Sequence, residues 1–248
     1  MAKAAQKREQ AAKLDALRRQ LAALEQGNRG GAVLPFGVPV IDAALPGGGL
    51  ALGAVHEVEG AAAEEEDGAV AAAFLAGILA RLSPARPVLW CLKRPDLHAP
   101  GLALFGLKPQ RLILARAPND SEILWVMEEG LRSAALAAVV GEITGVSMTA
   151  TRRLQLAAEN SGVTGFLLHR ESSTAASSAV TRWRVAALPG SLTPGEPGVG
   201  RAQWQVELLR CRGAVPAMWK MEGCDATGSV SLSAAMADRL ALSQQAAG

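Results

Sequence analysis

Few residues of this 248-residue chain are spaced to do chemistry. The histidines, His56, His98 and His169, lie far apart and match no metal-ligand spacing, so no metal site is expected. The cysteines, Cys91, Cys211 and Cys224, fit no zinc motif, and their odd number argues against a disulfide framework. They read as buried free thiols of a reducing cytoplasm. Charge is more informative. Residues 57–67 hold six acids and no base, ending in the run Glu64-Glu65-Glu66-Asp67. Basic residues cluster at Arg152-Arg153, at Arg182 and Arg184, and at Arg210 and Arg212. Trp183, between two arginines, is open to two readings. It is a stacking platform for single-stranded DNA with phosphate contacts from Arg182, Arg184, Arg210 and Arg212, or the inward residue of an amphipathic strand whose arginines face out.

The elements that would carry these groups alternate. Apolar strands are expected at 54–59, 88–92, 111–117, 135–143 and 163–169. Helices are expected between them, at 68–82, 121–132 and 147–160, with Asn119, Asp120 or Ser121 as one N-cap and Gly162 as a C-terminal stop. Strand–helix alternation of this kind marks an α/β fold with a mostly parallel central sheet flanked by helices. The stretches 181–185 and 203–208 alternate polar with apolar and predict a late antiparallel hairpin with a long Pro- and Gly-rich loop. Ahead of the sheet, Leu14, Leu17, Leu21 and Leu24 form one apolar stripe on an expected helix, and a Gly-rich run then breaks it. Such a helix packs on its own domain or docks on a partner. Half of the residues are apolar and the net charge is +2, so a full core is expected and overall charge does not demand nucleic acid. No apolar signal core or membrane-length run is present, and a cytoplasmic location with no membrane association is expected.

Phe36 to Leu45, the turn Gly48-Gly49-Leu50 and the strand Val55-His56-Glu57-Val58-Glu59-Gly60 together resemble the opening of the RecA core. There, a Leu-Asp pair and a Gly-Gly-Leu turn lead to the strand before the phosphate-binding P-loop. The resemblance spans about residues 33–224 and implies a RecA-like P-loop core with a degenerate Walker A motif. A working P-loop needs glycine, lysine and Ser/Thr, because backbone N–H groups cradle phosphate, the lysine neutralises its charge and the hydroxyl holds Mg²⁺. In register from Gly60, the second glycine becomes Glu65, the lysine Glu66 and the hydroxyl Asp67. Like charges at about 4 Å repel by several kcal/mol near a surface, so tight ATP binding is not expected. Instead, Asp67 is expected to N-cap a helix starting near Gly68 and the glutamates to sit at its positive end, supplying the anion that a ligand would bring. The Walker B aspartate position falls on Gly141, and Glu142 would point to the opposite face. The strand expected to carry the catalytic glutamate is followed by Lys93-Arg94-Pro95-Asp96, without one.

A RecA-like core of this length without an ATPase site, with Pro35-Phe36-Gly37 early and Leu154 to Glu159 after the Walker B strand, is similar to the ImuA family. The resemblance implies a non-catalytic accessory factor of SOS-induced translesion DNA synthesis. It would act without cofactor in a mutasome with ImuB, an inactive Y-family polymerase relative, and an error-prone polymerase, with RecA as a further partner and weak, salt-sensitive DNA binding. The alternative is a SulA-like inhibitor of cell division that binds FtsZ. The expected organisation is an N-terminal helix and linker over 1–30, the core over 33–224 and a flexible tail over 225–248.

Overall fold

The computed structural model describes residues 31–61, 65–172, 175–191 and 200–233. The apolar stripe of Leu14, Leu17, Leu21 and Leu24 and the last residues, 234–248, lie outside them. The first elements form a small cap. Strands β1 (Val33–Leu34) and β2 (Leu50–Ala51) pair antiparallel. Between them, Asp42, at the end of the short helix α1 (Pro39–Asp42), accepts hydrogen bonds from the N–H groups of Phe36 (2.6 Å) and Gly37 (3.0 Å). The glycine turn that follows is sterically required. A Cβ on Gly49 would lie 2.6 Å from the Leu34 carbonyl oxygen.

A nine-stranded sheet forms the body. Its strands are β3 (Val55–Gly60), β4 (Val88–Leu92), β5 (Leu112–Arg116), β6 (Ala138–Ile143), β7 (Thr164–His169), β8 (Thr181–Ser191), β9 (Arg201–Cys211), β10 (Ala217–Glu222) and β11 (Ser231–Leu232). Across the sheet the order is β11-β10-β9-β8-β3-β7-β6-β4-β5. The strands from β8 to β5 run parallel, and β9, β10 and β11 add an antiparallel wing. The helices are α2 (Glu65–Arg81), the short α3 (Ala99–Leu102), α4 (Asp120–Leu131) and α5 (Met148–Ser161). Asn119 caps α4 by accepting from the Glu122 N–H, and Ser147 caps α5 by accepting from the Ala150 N–H. Gly162, at φ +77°, ends α5 in the left-handed conformation that glycine adopts without a Cβ penalty.

The chain leaves β3 through α2 for β4 and β5, then returns through α4 and α5 to β6 and β7. Right-handed crossovers in opposite directions put helices on opposite faces. One core packs Phe74, Leu75, Ile78 and Leu79 of α2 on Val58, Trp90, Val140, Phe166 and Trp183. The other packs Ile123, Met127 and Leu154 on Val55, Cys91, Val139 and Leu167. The fold is therefore an α/β sheet sandwiched by helices, with a late antiparallel hairpin. Residues 225–233, expected as a flexible tail, instead form a turn held by Asp225 and the edge strand β11. The reason is packing. Cys224 and Gly228 press so closely on α2 that a Cβ at Gly77 would overlap the Cys224 sulfur.

Candidate functional site

In open parallel sheets, ligands bind at the carboxyl ends of the strands where the chain reverses direction. Here that edge collects the ends of β3, β4, β6 and β7, and among the described residues several of its polar groups bind one another. The Ala61 N–H after β3 donates to the Val185 carbonyl (3.0 Å). Residues 62–64 lie outside the described residues, and the chain enters α2 at Glu65. The helix thus starts three residues earlier than the sequence suggested, and Asp67 sits inside its first turn rather than at the N-cap. Acids in a first turn face the positive end of the helix dipole. The Asp67 carboxylate also accepts the Ala187 N–H of β8 at 2.9 Å, tying the start of α2 to the sheet. Gly60 is needed for this return. A Cβ there would lie 2.9 Å from the Asp67 carbonyl carbon.

Two ion-pair clusters occupy the rest of the edge. Glu142, only 3 % exposed, accepts from the Trp90 indole N–H (2.7 Å) and from the Arg170 guanidinium (Nε, 2.8 Å), which also reaches Asp96 at 2.7 Å. Burial opposes ionisation of Asp96, yet Arg170 outweighs it and holds the carboxyl below its ordinary range. Lys93 bridges Asp120 (2.8 Å) and the Thr144 hydroxyl (2.8 Å), while Asp120 accepts from the N–H groups of Thr144 and Gly145. Burial works against the Asp120 charge as well, and Lys93 with Thr144 overrides it. This second cluster pins the β6–α5 turn to the start of α4. Gly141 faces α4, where a Cβ would overlap the Met127 sulfur. Glu142, not Gly141, shares the α2 face, so the carboxylate at the end of β6 points toward the helix that follows the acidic loop.

A third buried cluster lies on the opposite face of β3. Glu57 and His169 are fully buried, 3.8 Å apart between Oε1 and Nε2, and Arg182 donates to the other Glu57 oxygen at 2.5 Å. Burial pushes the Glu57 pKa up, but the His169 ring, Arg182 and Ser177 pull harder and bring it to about 2. Among the described residues, Glu57 Oε1 and both ring nitrogens of His169 have no hydrogen-bond partner. His56, on the α2 face, is held neutral by burial, which lowers its pKa to about 4 against the pull of the Ala51 carbonyl. Its Nε2–H donates to that carbonyl (2.8 Å), leaving Nδ1 to accept from the Thr181 hydroxyl (2.8 Å).

The geometry corrects the reading of the basic cluster as a DNA surface. Trp183 is 1 % exposed and packs between Phe36, Phe74 and Trp219, so it offers no face for base stacking. The arginines turn inward onto the segment before β8. Arg182 binds the Ala175 carbonyl, Arg210 the carbonyls of Ser177 and Ala179, and Arg212 that of Ser178. Arg184 binds Glu59 through Nε (3.0 Å) and Nη2 (2.8 Å). These guanidinium groups shape a loop rather than a nucleic-acid path.

The side chains of Glu65 and Glu66 lie outside the described residues. Trp90, Lys93, Asp96, Asp120 and Arg170 were not singled out as site residues from sequence. A usable signal existed. An indole and a carboxylate in neighbouring apolar strands both need polar partners once buried.

No protein-family model matches the chain. Among curated proteins, it is 41 % identical over 206 residues to Protein ImuA of Caulobacter vibrioides strain NA1000 / CB15N, covering 78 % of this chain and 84 % of that relative. The same values hold for Protein ImuA of Caulobacter vibrioides strain ATCC 19089 / CIP 103742 / CB 15.

Proposed function

The chain belongs to the ImuA family, and on that premise we propose that it is a non-catalytic, RecA-like adaptor of DNA-damage-induced translesion synthesis. The observation that carries this reading is the carboxyl edge. Where a nucleotide would bind in a RecA-like P-loop core, the sequence offers acid in place of the lysine, and Asp67, Glu142 and Arg170 already engage the protein's own groups. An ATPase would need a cationic, hydroxyl-bearing loop to hold phosphate and Mg²⁺. The sheet order supports the RecA-like reading, since a parallel body followed by an antiparallel hairpin is what the resemblance implies.

In this account, the cytoplasmic protein works through its surfaces. Its partners are an ImuB-like Y-family polymerase homologue and RecA, and any DNA contact is weak and salt-sensitive. The test is an affinity pull-down of the tagged protein from DNA-damaged cells, with bound proteins identified by mass spectrometry. Recovery of the Y-family relative supports the adaptor. Recovery of FtsZ without it overturns the assignment in favour of a SulA-like division inhibitor.

A further inference from the structure

The helices α4 and α5 lie side by side on the sheet face opposite α2, and between their C-terminal halves opens a cleft of about 380 Å³. That is near the lower end of the size range of small-ligand sites. Its walls are Glu128 of α4, Arg132 just after it, and Arg153, Leu156, Asn160 and Ser161 of α5. Three features set it apart from ordinary surface. Leu156 is 43 % exposed at its lip, and Trp125 stands 61 % exposed one turn before Glu128. Glu128 is 8 % exposed and consumed by two arginines, Arg132 (2.6 Å) and Arg153. Those arginines are themselves more than half exposed, at 56 % and 60 %. Glu128 therefore holds both guanidinium groups from below, and Arg132 is also paired with Glu129 (2.5 Å), which leaves Arg153 the less engaged of the two. Arg153 keeps Nε and Nη1, and Arg132 keeps Nε, without a partner among the described residues. Arg152 adds a further exposed cation one turn from Leu156.

Oriented arginines beside an exposed tryptophan and an apolar slot have the composition of an interface centre, where Trp and Arg dominate binding energy. We infer that this cleft docks a short acidic segment of a partner protein, with one Leu- or Phe-like anchor in the slot and flanking carboxylates on Arg153 and Arg152. Charge selects this occupant. The chain's own residues 1–30 carry seven Lys/Arg against three acids, so they meet the arginines with the wrong sign. A second copy docking face to face would set arginine against arginine. A carboxylate forms charge-assisted hydrogen bonds with a guanidinium that is already held in place.

The test is selection of a phage-displayed library of random peptides, about 12 residues each, against the intact protein, followed by affinity measurement of the enriched sequences as synthetic peptides. Enriched peptides are expected to carry Asp or Glu around a Leu or Phe. Leu156→Glu, at an exposed position that leaves the fold intact, is expected to weaken them about tenfold or more. Arg153→Glu should do the same, with circular dichroism checking its fold. Basic or unenriched sequences overturn the proposal, as does binding indifferent to Leu156→Glu. Concentration-dependent dimerisation that Leu156→Glu abolishes would assign the cleft to a second copy and overturn it too.

Discussion

Replacing Arg170 with methionine removes the cation from the buried carboxylate at the end of β6. Glu142 is 3 % exposed and would keep only the Trp90 indole as a donor. Deleting one partner of a buried ion pair costs about 3–5 kcal/mol, because the remaining charge is left uncompensated. Arg170 is itself 33 % exposed, so water offsets part of this, and the expected loss is about 2–3 kcal/mol. For a domain of this size, that lowers the melting temperature by roughly 4–12 °C. The assay is urea unfolding followed by tryptophan fluorescence, in a cycle of Arg170→Met, Glu142→Gln and the double variant. Removing both charges should recover much of the loss, since a neutral amide still accepts from Trp90. A loss below about 0.5 kcal/mol for Arg170→Met, or strict additivity in the cycle, would refute the view that Glu142 is held by Arg170.

Glu57 gives a pH signature. Its folded pKa of about 2 lies below its ordinary 4.5, so its contribution is fully present above pH 4.5 and fades as pH falls toward 2. Urea midpoints between pH 6 and pH 3 should fall less steeply for Glu57→Gln than for the parent protein. Gly141→Ala forces a methyl group against the Met127 sulfur and Ile123, and should lower stability by about 1–3 kcal/mol in the same assay. Restoring only the lysine and the hydroxyl of the loop, with Glu66→Lys and Asp67→Thr, should yield no ATP turnover in a phosphate-release assay, because Arg170 and Trp90 still occupy Glu142.

Sequence showed the α/β class because each level of signal agreed. Val88–Leu92 and Ala138–Ile143 are continuous apolar runs, Asn119 and Ser147 cap where helices begin, and Gly162 stops one. The alternation at 181–185 and 203–208 marked the hairpin, with Trp183 and Trp204 facing one core. The misreadings share a physical cause. Consecutive acids at 64–67 read as loop, yet the backbone is helical from Glu65, because a first turn welcomes negative charge. Arginine types and spacing do not reveal whether a guanidinium faces solvent or a loop carbonyl, so Arg182, Arg210 and Arg212 looked like a DNA surface. The face of Glu142 depends on which strands flank β6, a tertiary fact that no local pattern contains. The strand β10 was missed because the exposed Met218 breaks its polar–apolar alternation, and the two-residue edge strand β11 is too short to show a period.

The most direct test of the central claim is isothermal titration of the full-length protein with Mg²⁺ and a non-hydrolysable ATP analogue. The account predicts no binding up to millimolar nucleotide, because the sequence puts carboxylates at the lysine and hydroxyl positions of the loop and Asp67, Glu142 and Arg170 are engaged by the protein's own groups. Micromolar, Mg²⁺-dependent binding would contradict it and return the protein to the nucleotide-dependent members of the RecA-like fold.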